Sequence, residues 1–306
     1  MGILDISAEL LFSIAQNLST IDLYRFMRTC HRVSSVLTPL YYNHRLQYTD
    51  WDAALEWAAD HDDTVVAEIA ISRGAKVDKK IEGQLYCYSP LHRAALADSP
   101  NVIRILVRHG AAVDGQGTDP LTPLYLAALF GCARAVSVLL ELGAVIPLVY
   151  NHDRVGLPAH LSASKGDVDC MKAFIAGGFD FNTKGAGRKT VLHEATNAPG
   201  GKMMQYLLEQ RGGRAIINTQ DSQGRTPLHY AVCCERSEEK VRLLLRYGAN
   251  TEIEDCDGFT PVGLARRRGM YDLDRVFLEF ENNTPNQVWV RSAHTSVAAS
   301  RSERVP

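Results

Sequence analysis

A four-residue motif recurs along most of this 306-residue chain at a nearly constant spacing. The second residues of successive copies are separated by 33, 35, 33, 36 and 34 positions. The six copies are Ser89-Pro90-Leu91-His92, Thr122-Pro123-Leu124-Tyr125, Leu157-Pro158-Ala159-His160, Thr190-Val191-Leu192-His193, Thr226-Pro227-Leu228-His229 and Thr260-Pro261-Val262-Gly263. A second marker follows four of them about 20 positions later, at Gly110-Ala111, Gly143-Ala144, Gly178-Phe179 and Gly248-Ala249. Two markers with one period predict an elongated row of similar units rather than two compact domains.

Each copy has the residues that begin and end a pair of short helices. A Thr or Ser can cap the first helix, and the Pro fits its first turn, where the missing N–H costs nothing. In one unit the first helix spans Leu91 to Ala97, and the second has Val102, Ile105 and Leu106 at helical spacing. Gly110 then ends the second helix in a left-handed conformation, and an extended finger leads to the next unit. One unit cannot bury its own apolar face, so the units must stack.

The Thr-Pro-Leu-His motif, the period near 33 residues and the Gly-Ala ending resemble the ankyrin repeat over Trp51 to Asn282. The resemblance implies an all-α solenoid of about seven units with short β-turn fingers. The first unit lacks the motif, but Ala59 stands 15 residues before Gly74, as in other units. The fifth unit ends irregularly, at Gly212-Gly213-Arg214-Ala215. The predicted repeats span 46–80, 84–117, 118–150, 154–183, 187–219, 222–253 and 256–283, and a disordered tail is predicted over 284–306.

Residues 1–45 lack this period and predict a small domain of three short helices, whose apolar faces need a partner to cover them. The pattern Ile6-Ser7-x-Glu9-Leu10, Ile14, Leu18, Asp22-Leu23, Arg28-Thr29-Cys30-His31-Arg32-Val33 resembles an F-box, with Ser7 in place of the usual Pro and Val33 in place of the usual Trp. The resemblance implies docking to the Skp-type adaptor of a cullin-based ubiquitin ligase, through Ile6, Leu10, Ile14, Leu18 and Leu23. The alternative is a helical cap over the first ankyrin unit.

The resemblance to ankyrin repeats also implies a protein-binding surface at the fingers and at the ends of the first helices. These positions are apolar or aromatic in the early units, at Tyr88, Leu121, Leu129 and Phe130. They are basic in the later units, at Lys165, Lys189, Arg225, Arg267 and Arg268. We therefore predict a partner protein with an apolar stretch beside an acidic or phosphorylated one. The alternative is that the basic end is neutralised by Glu252, Glu254 and Asp257.

Histidines recur at one position of the motif, at His92, His160, His193 and His229. Successive units cannot share a metal ion through them, because packed helices lie about 8–10 Å apart and zinc ligands lie roughly 2 Å from the ion. In ankyrin repeats this histidine hydrogen-bonds locally and ties loops together, so the resemblance implies a structural role. The sequence marks no Ser-His-Asp, Cys-His or phosphate-binding motif, and no base is specified beside Cys233-Cys234. We predict no cofactor, no metal site and no enzymatic activity.

Composition limits the partners and the compartment. The 33 Lys and Arg residues nearly balance the 35 Asp and Glu residues, which argues against nucleic acid or a membrane surface as a partner. The seven cysteines contain no Cys-x-x-Cys pair and predict reduced thiols. No secretory signal and no membrane-spanning stretch is visible, so we expect the cytoplasm, the nucleus or both.

The sequence leaves three functions open. The one we favour is a non-enzymatic adaptor, a monomer within a larger complex, that joins an unknown protein substrate to the ligase through the Skp-type adaptor. The second is an ankyrin scaffold with an N-terminal cap and no ubiquitin role. The third is an enzyme whose site no motif marks.

Overall fold

The computed structural model of the protein describes residues 51–78, 88–117, 121–146, 157–234 and 237–283. These residues form helices joined by turns, and none of them lies in a β-strand. The predicted all-α solenoid is therefore confirmed. The segments predicted as an F-box-like domain and a disordered tail, 1–45 and 284–306, lie outside the described residues. No helix in the described part is both long and apolar enough to cross a lipid bilayer.

Seven helix pairs, numbered here as units 1 to 7, follow one another along the described chain. Their first helices are α1 (Trp51–His61), α3 (Pro90–Leu96), α5 (Pro123–Phe130), α7 (Pro158–Lys165), α9 (Val191–Ala195), α12 (Pro227–Ala231) and α14 (Pro261–Arg267). Their second helices are α2 (Thr64–Ser72), α4 (Pro100–Arg108), α6 (Ala133–Glu141), α8 (Val168–Ala176), α10 (Lys202–Glu209), α13 (Ser237–Arg246) and α15 (Asp272–Asn283). One additional helix, α11 (Arg211–Ala215), follows α10.

The units stack so that like helices touch. Each first helix contacts the first helix of the next unit, and each second helix contacts the next second helix. The buried apolar side chains form one core that runs from Ala54 in unit 1 to Phe277 in unit 7. The loops add polar links, as where the Asp62 carboxylate of unit 1 accepts the N–H of Val102 in unit 2 at 3.0 Å. A unit therefore has little interior of its own and becomes stable through its neighbours.

The helices begin and end at the residues that the sequence marks. The Thr122 hydroxyl accepts the N–H of Tyr125 at 3.2 Å, and the Thr260 hydroxyl accepts that of Gly263 at 3.1 Å, so each caps its helix. A Pro occupies the first turn in both cases. Just after α4, Gly110 has a φ of +95°, the left-handed conformation predicted for it, in which a residue with a Cβ atom would be strained.

A histidine in each of four units joins that unit to the finger of the next. In unit 6, Nδ1 of His229 accepts the N–H of Thr226 at 3.0 Å, so the ring proton must reside on Nε2. Nε2 then donates to the carbonyl oxygen of Phe259 at 3.0 Å. Equivalent bonds of 3.0–3.2 Å join His92 to Leu121, His160 to Lys189 and His193 to Arg225. The structural role implied for these histidines is confirmed.

Unit 4 has only part of this arrangement. Leu157 stands where other units have Thr or Ser, and it has no hydroxyl group to offer to the ring of His160. Nδ1 of His160 is consequently buried without a hydrogen-bond partner among the described residues, and Oγ1 of Thr183 is a second such atom in this unit. Each such group costs about 1–3 kcal/mol. The side chain of Leu157 is fully buried, and this apolar burial offsets part of the cost.

Unit 5 contains a short helix that the sequence did not predict. The segment expected to end the unit irregularly, Gly212 to Ala215, lies in helix α11. A Cβ atom on Gly213 would lie 1.9 Å from the carbonyl oxygen of Leu207, and one on Gly212 would lie 2.4 Å from the ring of Phe181. Only glycine fits at these positions, so α11 packs closely against α10. The added turn coincides with the longest motif spacing, 36 residues, between units 5 and 6.

Removing a threonine hydroxyl should destabilise the array where the hydroxyl is hydrogen-bonded to a histidine, and not where it has no hydrogen-bond partner. Thr226→Val removes the 2.9 Å bond between Oγ1 of Thr226 and Nδ1 of His229, and we expect the free energy of unfolding in urea to fall by about 1–2 kcal/mol. Thr183→Val is the matched control, because its Oγ1 atom has no partner to lose. That variant should be as stable as the parent protein or more stable. Equal destabilisation by both changes would contradict the stabilising role assigned to the hydrogen bonds of the histidine.

Acid should weaken the array through its buried histidines. Burial lowers the pKa of His193 and His229, and it lowers the pKa of His160 to about 4, from an ordinary value of 6.5. The unfolded chain therefore binds more protons below pH 6.5, so the free energy of unfolding decreases as the pH falls from 6.5 towards 4. We expect a loss of up to about 1.4 kcal/mol per pH unit for each histidine, measured as urea unfolding at pH 7.5, 6 and 5. His160→Gln should make the fall shallower, and a pH-independent midpoint would refute the prediction.

Candidate partner-binding surface

The fingers and the first helices form the surface predicted to bind a partner. We call the hydrogen bond from a histidine ring to a carbonyl group of the next finger the histidine clamp. The clamped carbonyl groups belong to the residues just before the next helix cap, which are Leu121, Lys189, Arg225 and Phe259. The first three of these are among the residues predicted to touch a partner. Because the clamp uses only their backbone oxygen, it fixes the position of each residue and leaves its side-chain type open.

The apolar and aromatic residues of this surface lie in units 2 and 3. Phe130, the last residue of α5, is the most prominent, with 64% of its surface exposed. Leu129 and Leu121 are half-buried beside it in unit 3. Tyr88 is also half-buried, and its ring stacks on that of His92 with centroids 5.4 Å apart. The first group of predicted residues thus offers one exposed aromatic ring with apolar neighbours.

The lysines of the surface are held by neighbouring units. The exposed Lys165 donates from Nζ to the carbonyl oxygen of Leu129, which joins the basic group to the apolar one. Nζ of Lys189 lies 4.8 Å from the ring centroid of Tyr230 in the next unit. It also lies 3.8 Å from the carboxylate of Glu194, so its charge is partly neutralised within the protein.

A buried carboxylate supports Arg225. Nε of Arg225 lies 3.6 Å from Oδ2 of Asp255, a side chain that is only 1% exposed. The other oxygen of Asp255 accepts the N–H groups of Asp257 and Phe259, each at 3.0 Å, and so shapes the finger of unit 7. The side chain of Arg225 is 30% exposed, whereas its Nε atom and Oδ2 of Asp255 are both buried and too far apart for a hydrogen bond. The sequence did not predict this pairing.

The same finger design recurs one unit earlier with a different partner. Oδ1 of Asp221 accepts the N–H groups of Gln223 and Arg225, and its Oδ2 accepts the hydroxyl of Tyr230 at 2.7 Å. Burial acts to raise the pKa of Asp221, but the hydrogen bonds from Tyr230 and the backbone outweigh it and the pKa is lowered. The residue nine positions after Asp255 is Leu264, which cannot donate, and this leaves Oδ2 of Asp255 to Arg225 alone.

The remaining arginines lie at the end of α14. The guanidinium carbon of Arg267 lies 4.5 Å from the ring centroid of Phe259, and both Arg267 and Arg268 are exposed. Close to them is Cys233, at the end of the first helix of unit 6. Burial raises the pKa of the Cys233 thiol, whereas the positive charges of Arg268 and Arg225 act to lower it. The net effect is a raised pKa, so the thiol is protonated at neutral pH.

Sequence reasoning missed the residues that hold the basic side chains in place: Tyr230, Phe259, Asp255 and Glu194. A signal for one of them was present, since Asp255 begins an Asp-x-x-Gly-x-Thr-Pro stretch that also occurs at Asp221. An Asp at the start of such a loop accepts its own backbone N–H groups, which predicts a shaped turn. Asp255 and Glu194 lie at basic side chains of the surface. Neutralisation by Glu252, Glu254 and Asp257, which the sequence offered as the alternative, stays a prediction.

Among the residues that the structure describes, no group of three His, Cys, Asp or Glu side chains is placed to hold a metal ion. The five cysteines in those residues are free thiols. Burial raises the pKa of Cys132 and Cys170, so neither is an activated nucleophile at neutral pH.

Stacked helix pairs with an exposed row of finger and first-helix side chains define a repeat scaffold for protein interaction. The family model described as "Ankyrin repeats (3 copies)" matches residues 55–149, 159–255 and 213–288. The chain belongs to the ankyrin-repeat family, and the ankyrin fold expected from the motif is confirmed. The protein is an ankyrin-repeat interaction scaffold.

Individual proteins with similar sequences are diverse. The human Ankyrin repeat and SOCS box protein 16 is 27% identical over 207 residues, which cover 66% of this chain and 44% of that protein. The mouse B-cell lymphoma 3 protein homolog is 30% identical over 200 residues, covering 61% and 42% respectively. A Caenorhabditis elegans homolog of transient receptor potential cation channel subfamily A member 1 is 30% identical over 192 residues, covering 62% and 15%. The chain spans less than half the length of each of these relatives.

Two solved structures show the same fold. The ankyrin repeat domain of human ASB11 matches with a TM-score of 0.52 at 25% identity, over 69% of this chain and 90% of that one. The ankyrin repeat domain of Bcl-3 matches with a TM-score of 0.59 at 24% identity, over 74% of this chain and 100% of that one. The second likeness concerns the fold alone.

Removing one hydroxyl should test the design of the unit 6 finger. Tyr230→Phe leaves Oδ2 of Asp221 without its donor, and we expect a loss of about 1.5–3 kcal/mol in the free energy of unfolding, because the acceptor is charged. Tyr271→Phe is the matched control, since Tyr271 is 70% exposed, and it should leave the urea midpoint unchanged. If the two variants unfold at the same urea concentration, the hydrogen bond contributes nothing measurable.

Proposed function

We propose that this chain is the substrate-recognition subunit of a cullin-based, SCF-type ubiquitin ligase. Its F-box-like residues 1–45 bind the Skp-type adaptor, and its ankyrin array binds the substrate protein. The chain itself needs no catalytic residue for this role, because it holds two partners together and so raises their effective concentration. The complex operates in the cytoplasm, the nucleus or both.

The observation that carries the proposal is the N-terminal pattern ahead of a binding array. Glu9-Leu10, Asp22-Leu23 and Cys30 keep the F-box spacing in the segment that precedes unit 1. The array that follows has an exposed aromatic side chain, Phe130, and exposed basic side chains at Lys165, Arg267 and Arg268. The name of one relative, Ankyrin repeat and SOCS box protein 16, also joins an ankyrin array to a second module. A two-part adaptor is the function that accounts for both segments.

The second candidate is an ankyrin scaffold in which residues 1–45 cover unit 1. Val65 on α2 favours it, because this apolar side chain is 42% exposed in the unit that directly follows the segment. The mouse B-cell lymphoma 3 relative favours it as well, since its name carries no second module. In this case residues 1–45 belong to the solenoid and bind no adaptor.

Capture of a purified Skp-type adaptor by the immobilised full-length chain distinguishes these functions. We expect the parent protein to retain the adaptor and the double variant Leu10→Asp with Ile14→Asp to lose it, because buried carboxylates oppose an apolar interface. The control is Phe130→Ala with Arg267→Glu on the array, which should retain the adaptor fully.

Hydrogen exchange of residues 6–23 gives a second readout for the same question. The adaptor function requires these amides to become protected when the Skp-type adaptor binds. Amides that are equally protected without the adaptor favour the cap over unit 1. No capture by the parent chain, together with such protection, would overturn the proposal.

A further inference from the structure

Arginines from units 6 and 7 meet at the finger of unit 7 on the candidate surface. This guanidinium cluster consists of Arg225, Arg267 and Arg268. Nε of Arg225 lies 3.6 Å from Oδ2 of Asp255, and Oδ1 of the same carboxylate accepts the N–H of Phe259 at 3.0 Å. Arg267, which directly precedes Arg268, reaches back over the ring of Phe259, so Arg225 and Arg267 approach this finger from two different units.

Two of the three side chains are held in place. Arg225 turns its Nε atom towards the buried Asp255, at 3.6 Å, while 30% of its side chain stays exposed. The guanidinium group of Arg267 lies over the ring of Phe259, and the carbonyl oxygen of Phe259 is in turn clamped by His229. A side chain that is already ordered loses less conformational entropy when it binds a ligand. The cluster is thus preorganised for binding.

The positive charge of the cluster is only partly compensated. Arg266 forms an ion pair with Asp274 at 3.0 Å, but Arg267 and Arg268 form none with any residue in the described ranges. Asp255 is the acidic group that faces Arg225. The exposed acids Glu252, Glu254 and Asp257 lie on the same finger as Phe259, but none of them forms an ion pair with a residue in the described ranges.

We propose that the guanidinium cluster binds a phosphorylated side chain on the partner protein. A phosphate group carries a charge of about −1.5 to −2 and has three acceptor oxygens, which suits several guanidinium forks from different directions. A carboxylate carries one charge and is satisfied by a single fork. The proposal names the class of ligand for the array described under the proposed function and does not depend on residues 1–45.

Immobilised peptide pools test this proposal with the purified full-length chain. The pools have degenerate sequences around a central phosphoserine, phosphothreonine or phosphotyrosine, and reference pools carry unmodified residues or glutamate at that position. We expect at least one phosphorylated pool to be retained on the order of tenfold more strongly than its unmodified counterpart. Retention should decrease at high salt, because the interaction is electrostatic.

Two pairs of variants assign the binding to the cluster. Arg267→Glu with Arg268→Glu should abolish the preference for phosphate, and Arg267→Lys with Arg268→Lys should keep part of it, since charge remains but the forks are lost. The matched control is Arg211→Glu with Arg246→Glu, an equal change in charge at exposed residues of α11 and α13. It should bind like the parent protein. Circular dichroism of all variants establishes that the array remains folded.

Three results would overturn the proposal. They are no preference for any phosphorylated pool, equal retention of the glutamate pool, and a preference that survives Arg267→Glu with Arg268→Glu. Each of these leaves the capture of the Skp-type adaptor unaffected, because that measurement concerns residues 1–45. Failure of the phosphate assignment and failure of the adaptor function are therefore distinguishable.

Discussion

The bond from a histidine ring to the carbonyl of the following finger sets the geometry of this array. The ring receives hydrogen bonds on one nitrogen from the cap of its own helix, which leaves the other nitrogen to donate across the unit boundary. Residues 29 to 32 positions apart are thereby joined at a fixed distance. The added residues of unit 5 fall within the longest of these separations, between His193 and Arg225, and α11 accommodates them without breaking the bond. Stacking of the helices and the position of the fingers both follow from this connection.

The same bond separates the stability of the array from its recognition of partners. Capping hydroxyls, histidines and backbone carbonyls hold each finger, while the side chain just before the cap takes no part in the clamp. That position is occupied by Leu121, Lys189, Arg225 and Phe259 in successive clamped fingers, four side chains of very different chemistry. The binding surface can therefore differ from unit to unit on an unchanged frame. This is how one repeat fold presents an apolar side chain in the finger of unit 3 and basic side chains in the fingers of units 5 and 6.

The sequence was sufficient to predict where the helices of each unit begin and end, and it was insufficient to predict the side-chain contacts between units. Caps and helix-ending glycines obey local rules, so Thr122 and Gly110 could be assigned from spacing, whereas the role of His229 followed from the resemblance to ankyrin repeats. The support of Arg225 by Asp255 joins residues 30 positions apart and depends on how one side chain packs at a unit boundary, which no local rule specifies. Helix α11 was missed for a related reason. Two adjacent glycines usually indicate a loop, and only the approach of Leu207 and Phe181 explains why they lie in a helix.

The regular stacking also gives the surface a length scale. Neighbouring helices pack roughly 8–10 Å apart, so the four steps from unit 3 to unit 7 separate Phe130 from Arg267 by about 32–40 Å. An extended polypeptide advances about 3.3 Å per residue and needs on the order of 10–12 residues to cover that distance. The array therefore selects partners by the distance between their binding groups. A linear partner contacts both Phe130 and Arg267 only if its own apolar and anionic groups are about that far apart. A folded partner contacts both only if its surface spans the same distance.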